Sequence, residues 1–201
     1  NKDVFGFPIQ WIPKNPRWQN YVDIWTQIPL LTFVKNTVKI TVVVTLLQLF
    51  TSSFAAYAFA KMQFKGKNAL FLGYIATIAV PWQAYMVPQF MMMSSWHLNN
   101  THLAIMCLQA FSAFGVFLMK QFYEGVPTEL CEAARIDGLS EYGIWWHIML
   151  PLSLPALSTL TIFTFVNTWN DFLGPLIYLT KTELKTIQIG LRMFITQYSA
   201  C

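Results

Sequence analysis

Charged residues are scarce in this chain. Asp, Glu, Lys and Arg make up only 11% of its 201 residues, whereas they make up about 25% of an ordinary soluble protein. None of them occurs in the 52 residues from Asn68 to Met119. One membrane-crossing helix needs about 20 apolar residues, so this stretch has room for two crossings and a turn. The sequence therefore excludes a disordered protein and predicts an all-α, polytopic helical membrane protein.

The motifs of common enzyme and metal sites are also missing. The three cysteines have neither the spacing of a disulfide framework nor that of a metal site. His97 and His102 are five positions apart, so one helical face does not present both rings. There is no H-E-x-x-H motif, and the Gly66-Lys67 pair lacks the upstream glycine of a phosphate-binding loop. We therefore predict no catalytic residue, no metal ligand and no cofactor bound by this chain.

The basic residues flank apolar segments instead of forming a patch. Lys and Arg number 13 and give a net charge of +4, but their scatter does not indicate a nucleic-acid surface. The short turn KMQFKGK at residues 61–67 holds three lysines, which favours the cytoplasmic side of a membrane. No nucleic-acid partner is expected.

Four uncharged stretches are long enough to be membrane spans. We predict spans at 36–60, 69–92, 102–120 and 150–177, external segments at 1–35 and 178–201, and a cytoplasmic loop at 121–148. Pro81 and Pro88 are expected to kink or interrupt the second span. Pro151 and Pro155 are expected to mark the turn from a surface helix into the fourth span.

The predicted loop is the most polar part of the chain. It contains five of the nine acidic residues, Glu124, Glu129, Glu132, Asp137 and Glu141. Pro127 can begin a short helix there, and Gly138 can end it. Ala133 and Ala134 leave a low surface that another protein can approach. A solvated amphipathic loop is the alternative that composition alone favours.

The loop sequence EAARIDGLSEYGIWWHIMLP, residues 132–151, closely resembles the EAA loop of membrane subunits of ATP-binding-cassette (ABC) importers. Three further stretches resemble the carbohydrate-importing, maltose-type branch of that family. They are AAYAFAKMQFKGK at 55–67, FGVFLMKQFYEGVPTEL at 114–130 and TWNDFLGPL at 168–176. The resemblance extends over nearly all of residues 18–200.

This resemblance implies a type I ABC importer transmembrane-domain fold, in which the loop is a coupling helix seated in a cleft of a separate ATPase. Glu132 would meet a basic group of that partner, and Gly138 would permit a bend between two short helices. Leu139 stands where the family often has a small residue. The residues that the resemblance assigns to ATPase coupling are Glu132, Ala133, Ala134, Arg135, Asp137, Gly138 and Pro151.

The family also implies partners and a location. We expect a cytoplasmic ATPase dimer that binds ATP and Mg, a second permease subunit, an external solute-binding protein, a sugar and the lipid of the inner cell membrane. Family members usually have six spans and four are predicted here. One helix before Asn1 and one after Cys201 are therefore expected to be missing from a piece of a longer protein.

Asp171 is the candidate for contact with the transported solute, since an ionisable group at membrane depth is a functional candidate by default. Asn167 and Asn170 lie near it in sequence and could bond sugar hydroxyls. An interfacial carboxylate in contact with water is the alternative. A glycerol phosphate or polyamine cargo would need basic or additional acidic groups in the spans, and an ATP-independent secondary transporter would need coupling groups there. The spans favour a neutral solute.

Overall fold

A computed structural model describes residues 28–198, together with Trp18, Gln19 and Trp25. Every regular element within these residues is helical, which confirms the predicted all-α class. The α-helices are α1 (Leu30–Lys61), α2 (Lys67–Ala76), α3 (Trp82–Ser95), α4 (His102–Gln109), α5 (Ala113–Glu124), α6 (Glu129–Ile136), α7 (Glu141–Ile144), α8 (Leu150–Leu152), α9 (Leu154–Trp169), α10 (Leu173–Tyr178) and α11 (Ile187–Tyr198). Two 3-10 turns (Thr77–Ala79 and Thr182–Leu184) and one π-helix (Trp145–Met149) complete the described elements.

Two helices are long and apolar enough to cross a membrane, namely α1 and the combined stretch His102–Glu124. Two further helix pairs pass the same test when each pair is taken together. Lys67–Ala79 and α3 are bent by 102°, and Glu141–Leu152 and α9 are bent by 80°. By length and composition, the described residues thus hold two candidate spans, or up to four if each bent pair is one span.

Prolines lie at both sharp bends. The backbone of Pro81 is extended, with φ −65° and ψ 138°, and it separates the turn Thr77–Ala79 from α3. Pro88 lies inside α3, which continues past it. The 80° bend lies at Ser153, between Pro151 and Pro155. A proline lacks the amide hydrogen that would continue the helix, so each bend occurs where a backbone bond is missing anyway.

The helices extend beyond the predicted spans at both ends of the described chain. α1 begins directly after Pro29, six residues before the predicted start of the first span at 36, because four apolar residues lie between that proline and Lys35. The segment predicted as external at 178–201 contains α11 and a 3-10 turn. Most of the predicted interfacial segment 1–35 lies outside the described residues.

Helix α1 is the centre of the packing, with α5 and α9 against it. Small residues allow α1 and α5 to approach closely, as in many membrane bundles. A Cβ atom added to Gly115 of α5 would lie only 2.4 Å from Ser52 Oγ of α1. Ser52 and Ser53 are both fully buried. The bundle therefore depends on side chains no larger than serine at this crossing.

Two apolar clusters occupy opposite ends of α1. One contains Ala56 and Tyr57 of α1 and includes residues of α6 and the π-helix. The other contains Ile40 and Val44 and includes residues of α4 and α10. Gln48 and Thr51 lie between these clusters along α1 and bond to α4 and the residue after it. A polar layer thus separates the two apolar ends of the bundle.

Candidate functional site

The first candidate site is the helix α6 within the polar loop. The helix ends in a Schellman motif, in which Leu139 N donates to Ala134 O at 3.0 Å and Gly138 N donates to Arg135 O at 3.0 Å. Gly138 has φ +85°, a left-handed conformation that side chains other than hydrogen disfavour. The glycine that was expected to end this helix therefore does so by a defined backbone geometry.

α6 has an inward and an outward face. Cys131 and Ala134 are 0% and 4% exposed and pack into the apolar cluster at that end of α1. Glu132 and Ala133 point away from it and are exposed. Both alanines were expected on the approachable surface, but only Ala133 lies there, because residues 131 and 134 share the helical face that meets the core.

An apolar residue missed by the sequence analysis lies on the outward face. Ile136, the last residue of α6, is 87% exposed. Its position follows from the helical period, since residue 136 lies roughly opposite the buried pair Cys131 and Ala134 at 100° per residue. Asp137 and Pro151, the remaining predicted coupling residues, are also exposed.

Arg135 is turned toward its own chain. Its Nε donates to Glu141 Oε1 at 2.7 Å, and its Nη2 donates to Glu141 Oε2 at 3.3 Å. The hydroxyl of Tyr57 in α1 donates to Glu141 Oε2 at 2.5 Å. The bonds from Arg135 and then from Tyr57 lower the pKa of the Glu141 carboxyl from its ordinary value. Sequence analysis gave Glu141 no role, because its contact with Tyr57 joins residues 84 positions apart.

The second candidate site is a cavity of about 510 Å³ lined by both polar and apolar side chains. Its lining includes Asn167 and Asp171, the aromatic side chains of Trp82 and Tyr85, and the carboxamides of Gln48 and Gln109. Of the described residues that line it, Asp171 carries the only formal charge, and none is Lys or Arg. The cavity therefore presents hydrogen-bonding groups and aromatic rings without a cation.

A break between α4 and α5 supplies the polar layer beside this cavity. The helix stops at Gln109 and resumes at Ala113, which frees backbone carbonyls that hydrocarbon cannot satisfy. Gln48 Nε2 donates to Gln109 O at 2.7 Å, and Thr51 Oγ1 donates to Ala110 O at 2.7 Å. Side chains of α1 thus take the place of the lost helical bonds.

Asp171 is held by its own neighbours. Gln109 Nε2 donates to Asp171 Oδ2 at 2.7 Å, and Gly174 N donates to Asp171 Oδ1 at 3.1 Å. Thr168 Oγ1 donates to Gln109 Oε1 at 3.4 Å, so the network continues into α9. The carboxylate therefore joins the broken helix to the start of α10 and at the same time borders the cavity.

The structure brings only two of the three predicted solute-contact residues to the cavity. Asn167 and Asp171 line the cavity, whereas Asn170 does not. Asn170 Nδ2 donates to Val166 O at 2.9 Å, and its Oδ1 accepts from Gln188 Nε2 at 3.2 Å. The carboxamides of Gln48 and Gln109 were missed, although a Gln inside an apolar run was the available signal.

His97 and His102, which the sequence places five positions apart, have different environments in the structure. His102 is 8% exposed, and its Nε2 lies 2.9 Å from Leu184 O. His97 is exposed and has φ 56°. Within the described residues no group of three or more His, Cys, Asp or Glu side chains is arranged to hold a metal ion.

Comparisons with known proteins agree with the geometry. Residues 48–200 match the family of binding-protein-dependent transport system inner membrane components. The chain is 37% identical over 194 residues to the arabinooligosaccharides transport system permease protein AraQ of Halalkalibacterium halodurans, covering 96% of this chain and 70% of that protein. It is 35% identical to the lactose transport system permease protein LacG of Rhizobium radiobacter, covering 90% and 67%.

A solved structure is also similar. It is the crystal structure of a bacterial ABC transporter involved in the import of the acidic polysaccharide alginate. The match has a TM-score of 0.86 at 26% identity and covers 93% of this chain. The chain spans 66% of the length of that protein.

Proposed function

Since this chain belongs to the binding-protein-dependent transport system inner membrane components, the permease family of ABC importers, we propose that it carries a neutral sugar or oligosaccharide across the cytoplasmic membrane. The observation that carries this proposal is the cavity of about 510 Å³ bordered by amides, hydroxyls, aromatic rings and a single carboxylate. Sugars offer hydroxyls to such polar groups and apolar ring faces to aromatic side chains. The sugar names of the two permease relatives support the same substrate class.

The charge of the cavity argues against the other cargoes. A glycerol phosphate would need a cation to meet its phosphate, and no described lining residue is Lys or Arg. A polyamine would need several carboxylates, whereas Asp171 is the only acid among the described lining residues and already accepts bonds from Gln109 and Gly174. An ATP-independent transporter would leave the outward face of α6 without a role.

We place the docking of a cytoplasmic ATPase dimer on α6. Glu132, Ala133 and Ile136 form its outward face, and a bulky apolar side chain exposed on a polar loop suits a cleft of a partner protein. Asp137 and Gly138 end the helix beside this surface, and Pro151 is exposed further along the chain. ATP and Mg belong to the ATPase, and a second permease subunit and an external solute-binding protein complete the transporter.

Uptake measurements test the cargo. Cells that lack the full-length parent of this chain, and the same cells with it restored, would be given labelled arabino-oligosaccharide, lactose, glycerol 3-phosphate and spermidine. We expect restored uptake of a sugar alone, abolished when cellular ATP is depleted. Restored uptake of glycerol 3-phosphate or spermidine would contradict the neutral-sugar proposal, and uptake without ATP would support a secondary transporter.

A further inference from the structure

We propose that Tyr57 and Lys61 of α1, together with Glu141, form a brace that ties both ends of the coupling loop to the first span, so that movement of α6 is passed to the transport cavity. Glu141 is a positioning residue in this proposal, because it acts through α1 and not on solute or nucleotide. The inference rests on the proposed ATPase docking of α6 and deepens it.

The brace starts from one face of α1. Tyr57 and Lys61 are four residues apart, so their side chains lie one above the other on the helix. Both are buried, with 2% and 8% of their surface exposed. A lysine near a helix end usually extends into water, and a buried one needs a specific partner.

The partner of Lys61 lies at the entrance of the coupling loop. Its Nζ donates to the backbone carbonyl of Val126 at 2.5 Å. Val126 lies between the end of α5 and the start of α6, 65 residues from Lys61 in sequence. The amine therefore fixes the backbone at the point where the chain leaves α5 for the coupling helix.

The partner of Tyr57 lies at the exit of the same loop. Its hydroxyl and the guanidinium of Arg135 donate to one carboxylate, that of Glu141. This carboxylate is the point where α1, α6 and α7 are joined. The side chain of Arg135 is 37% exposed and that of Glu141 40% exposed, so the ion pair borders water while the tyrosine end of the link is buried.

Between these two attachments, α6 lies directly on the core. Cys131 and Ala134 belong to the same buried cluster as Ala56 and Tyr57. The outward face with Ile136 remains free to contact another protein. A partner protein that displaces that face must therefore move the end of α1 or break the bonds of the brace.

A residue nearer the start of α1 connects the brace to the cavity. Gln48 lies nine residues before Tyr57 on the same unbroken helix and borders the cavity, where its Oε1 accepts from Thr164 Oγ1 at 2.9 Å. At a rise of about 1.5 Å per residue, Gln48 lies about 14 Å from Tyr57 along the helix axis. A continuous helix acts as one rigid element over such a distance. Motion at Tyr57 is thus expressed at Gln48.

The chain offers a matched control for the ion pair. Lys120 Nζ and Glu124 Oε1 are 2.6 Å apart, but both residues belong to α5. Removing that pair changes one charge near the loop without cutting a link between two elements. Its loss should therefore leave coupling unchanged.

The test uses the full-length parent assembled with its ATPase, in a background whose exposed cysteines are serine while the buried Cys131 is kept, with Asn167→Cys as the reporter and the same background without it as the blank. Asn167 is exposed and lines the cavity. The labelling rate of this cysteine by a water-soluble maleimide is compared with no nucleotide and with ATP plus vanadate, in parallel with ATP hydrolysis. The variants are Tyr57→Phe, Glu141→Gln, Glu141→Asp, the double variant Tyr57→Phe with Glu141→Gln, and the control Glu124→Gln.

We expect nucleotide to change the labelling rate by at least about fivefold in the unaltered transporter and in Glu124→Gln, the lower end of typical coupling between sites. Tyr57→Phe and Glu141→Gln should lose most of this response while the ATPase still co-purifies and hydrolyses ATP. Glu141→Asp should also lose it, because the shorter side chain cannot reach both partners. The double variant should lose no more of the nucleotide response than the single variant with the larger loss, since both changes cut the same link.

Three results would overturn the brace. They are a full nucleotide response in Tyr57→Phe and Glu141→Gln, additive losses in the double variant, or an equal loss in Glu124→Gln. Absence of any nucleotide response in the unaltered assembly would overturn the ATPase coupling itself, and the brace with it. Tyr57→Phe removes a single oxygen atom, so a folded protein is expected even if a Glu141 variant proves unstable.

Discussion

The side chain of Gln109 donates a hydrogen bond to Asp171 across 2.7 Å. This contact joins the end of α4, where the helix is broken, to the short segment between α9 and α10. The carboxylate of Asp171 accepts hydrogen bonds from the protein through both of its oxygens. The same residue therefore has a structural role as well as a place on the cavity surface.

Replacement of Asp171 by alanine should destabilise the purified full-length protein. Gln109 Nε2 and Gly174 N would each lose a partner, and an unsatisfied buried polar group costs about 1–3 kcal/mol. Asp171→Asn keeps one acceptor oxygen and should cost less. Thermal unfolding in detergent measures the difference, and an Asp171→Ala protein as stable as the original would contradict the role assigned to this contact.

Asn167 and Asn170 form a matched pair for the solute path. Asn167 lines the cavity, and Asn170 bonds to Val166 and Gln188 outside it. In the complete transporter, Asn167→Ala should raise the sugar concentration needed for half-maximal uptake by about tenfold, equivalent to one lost hydrogen bond of about 1.4 kcal/mol. Asn170→Ala should leave it within about twofold. Equal effects of the two substitutions would remove the cavity from the solute path.

The crossing of α1 and α5 should not tolerate a branched side chain. A Cβ at Gly115 would lie 2.4 Å from Ser52 Oγ and 3.3 Å from Leu160 Cδ1, so Gly115→Val should destabilise by about 1–3 kcal/mol or more through overpacking. Gly73 in α2 is the control, because an added Cβ there meets nothing within 4 Å. Gly73→Ala should leave the melting temperature unchanged or raise it slightly. Equal tolerance at both glycines would contradict the close packing.

The bonds that Glu141 accepts from Arg135 and Tyr57 should stabilise the folded protein at neutral pH and stop doing so in acid. Arg135 and Tyr57 hold the folded-state pKa of Glu141 below its ordinary value, which is about 4.3. Such a group contributes stability above the ordinary value, and the contribution is lost as pH falls through the lower folded-state pKa. The melting-temperature difference between the original protein and Glu141→Gln should therefore shrink on acidification from neutral pH. A difference that grows on acidification would contradict this sign.

The sequence predicted what depends on local pattern. The candidate spans follow from uncharged runs, and α6 follows from Pro127, the acidic residues and Gly138, whose left-handed backbone explains the need for glycine there. Ile136 could have been placed on the outward face by the same helical period, once Cys131 and Ala134 were known to face the core. The local pattern predicts the faces of these residues because all of them belong to one helix.

Contacts between residues that are far apart in the sequence could not be predicted from local patterns. Tyr57 and Glu141 are 84 positions apart, and Gln48 and Thr164 are 116 positions apart. Nothing in either local sequence specifies the partner, because the pairing depends on how α1, α7 and α9 pack together. The interruption of the third predicted span near Gln109 was also missed, since no proline marks it and side chains of α1 satisfy its free carbonyls.

The most direct measurement asks whether the outward face of α6 holds an ATPase. The full-length parent, carrying a tag, would be purified in mild detergent from its own organism as the original protein, as Ile136→Asp and as the control Gln121→Asp, which changes an exposed residue of α5. The account predicts that an ATPase co-purifies with the original and the control but is lost from Ile136→Asp, although all three fold. Retention of the ATPase by Ile136→Asp, or its absence from the folded original protein, would contradict the docking of an ATPase on α6.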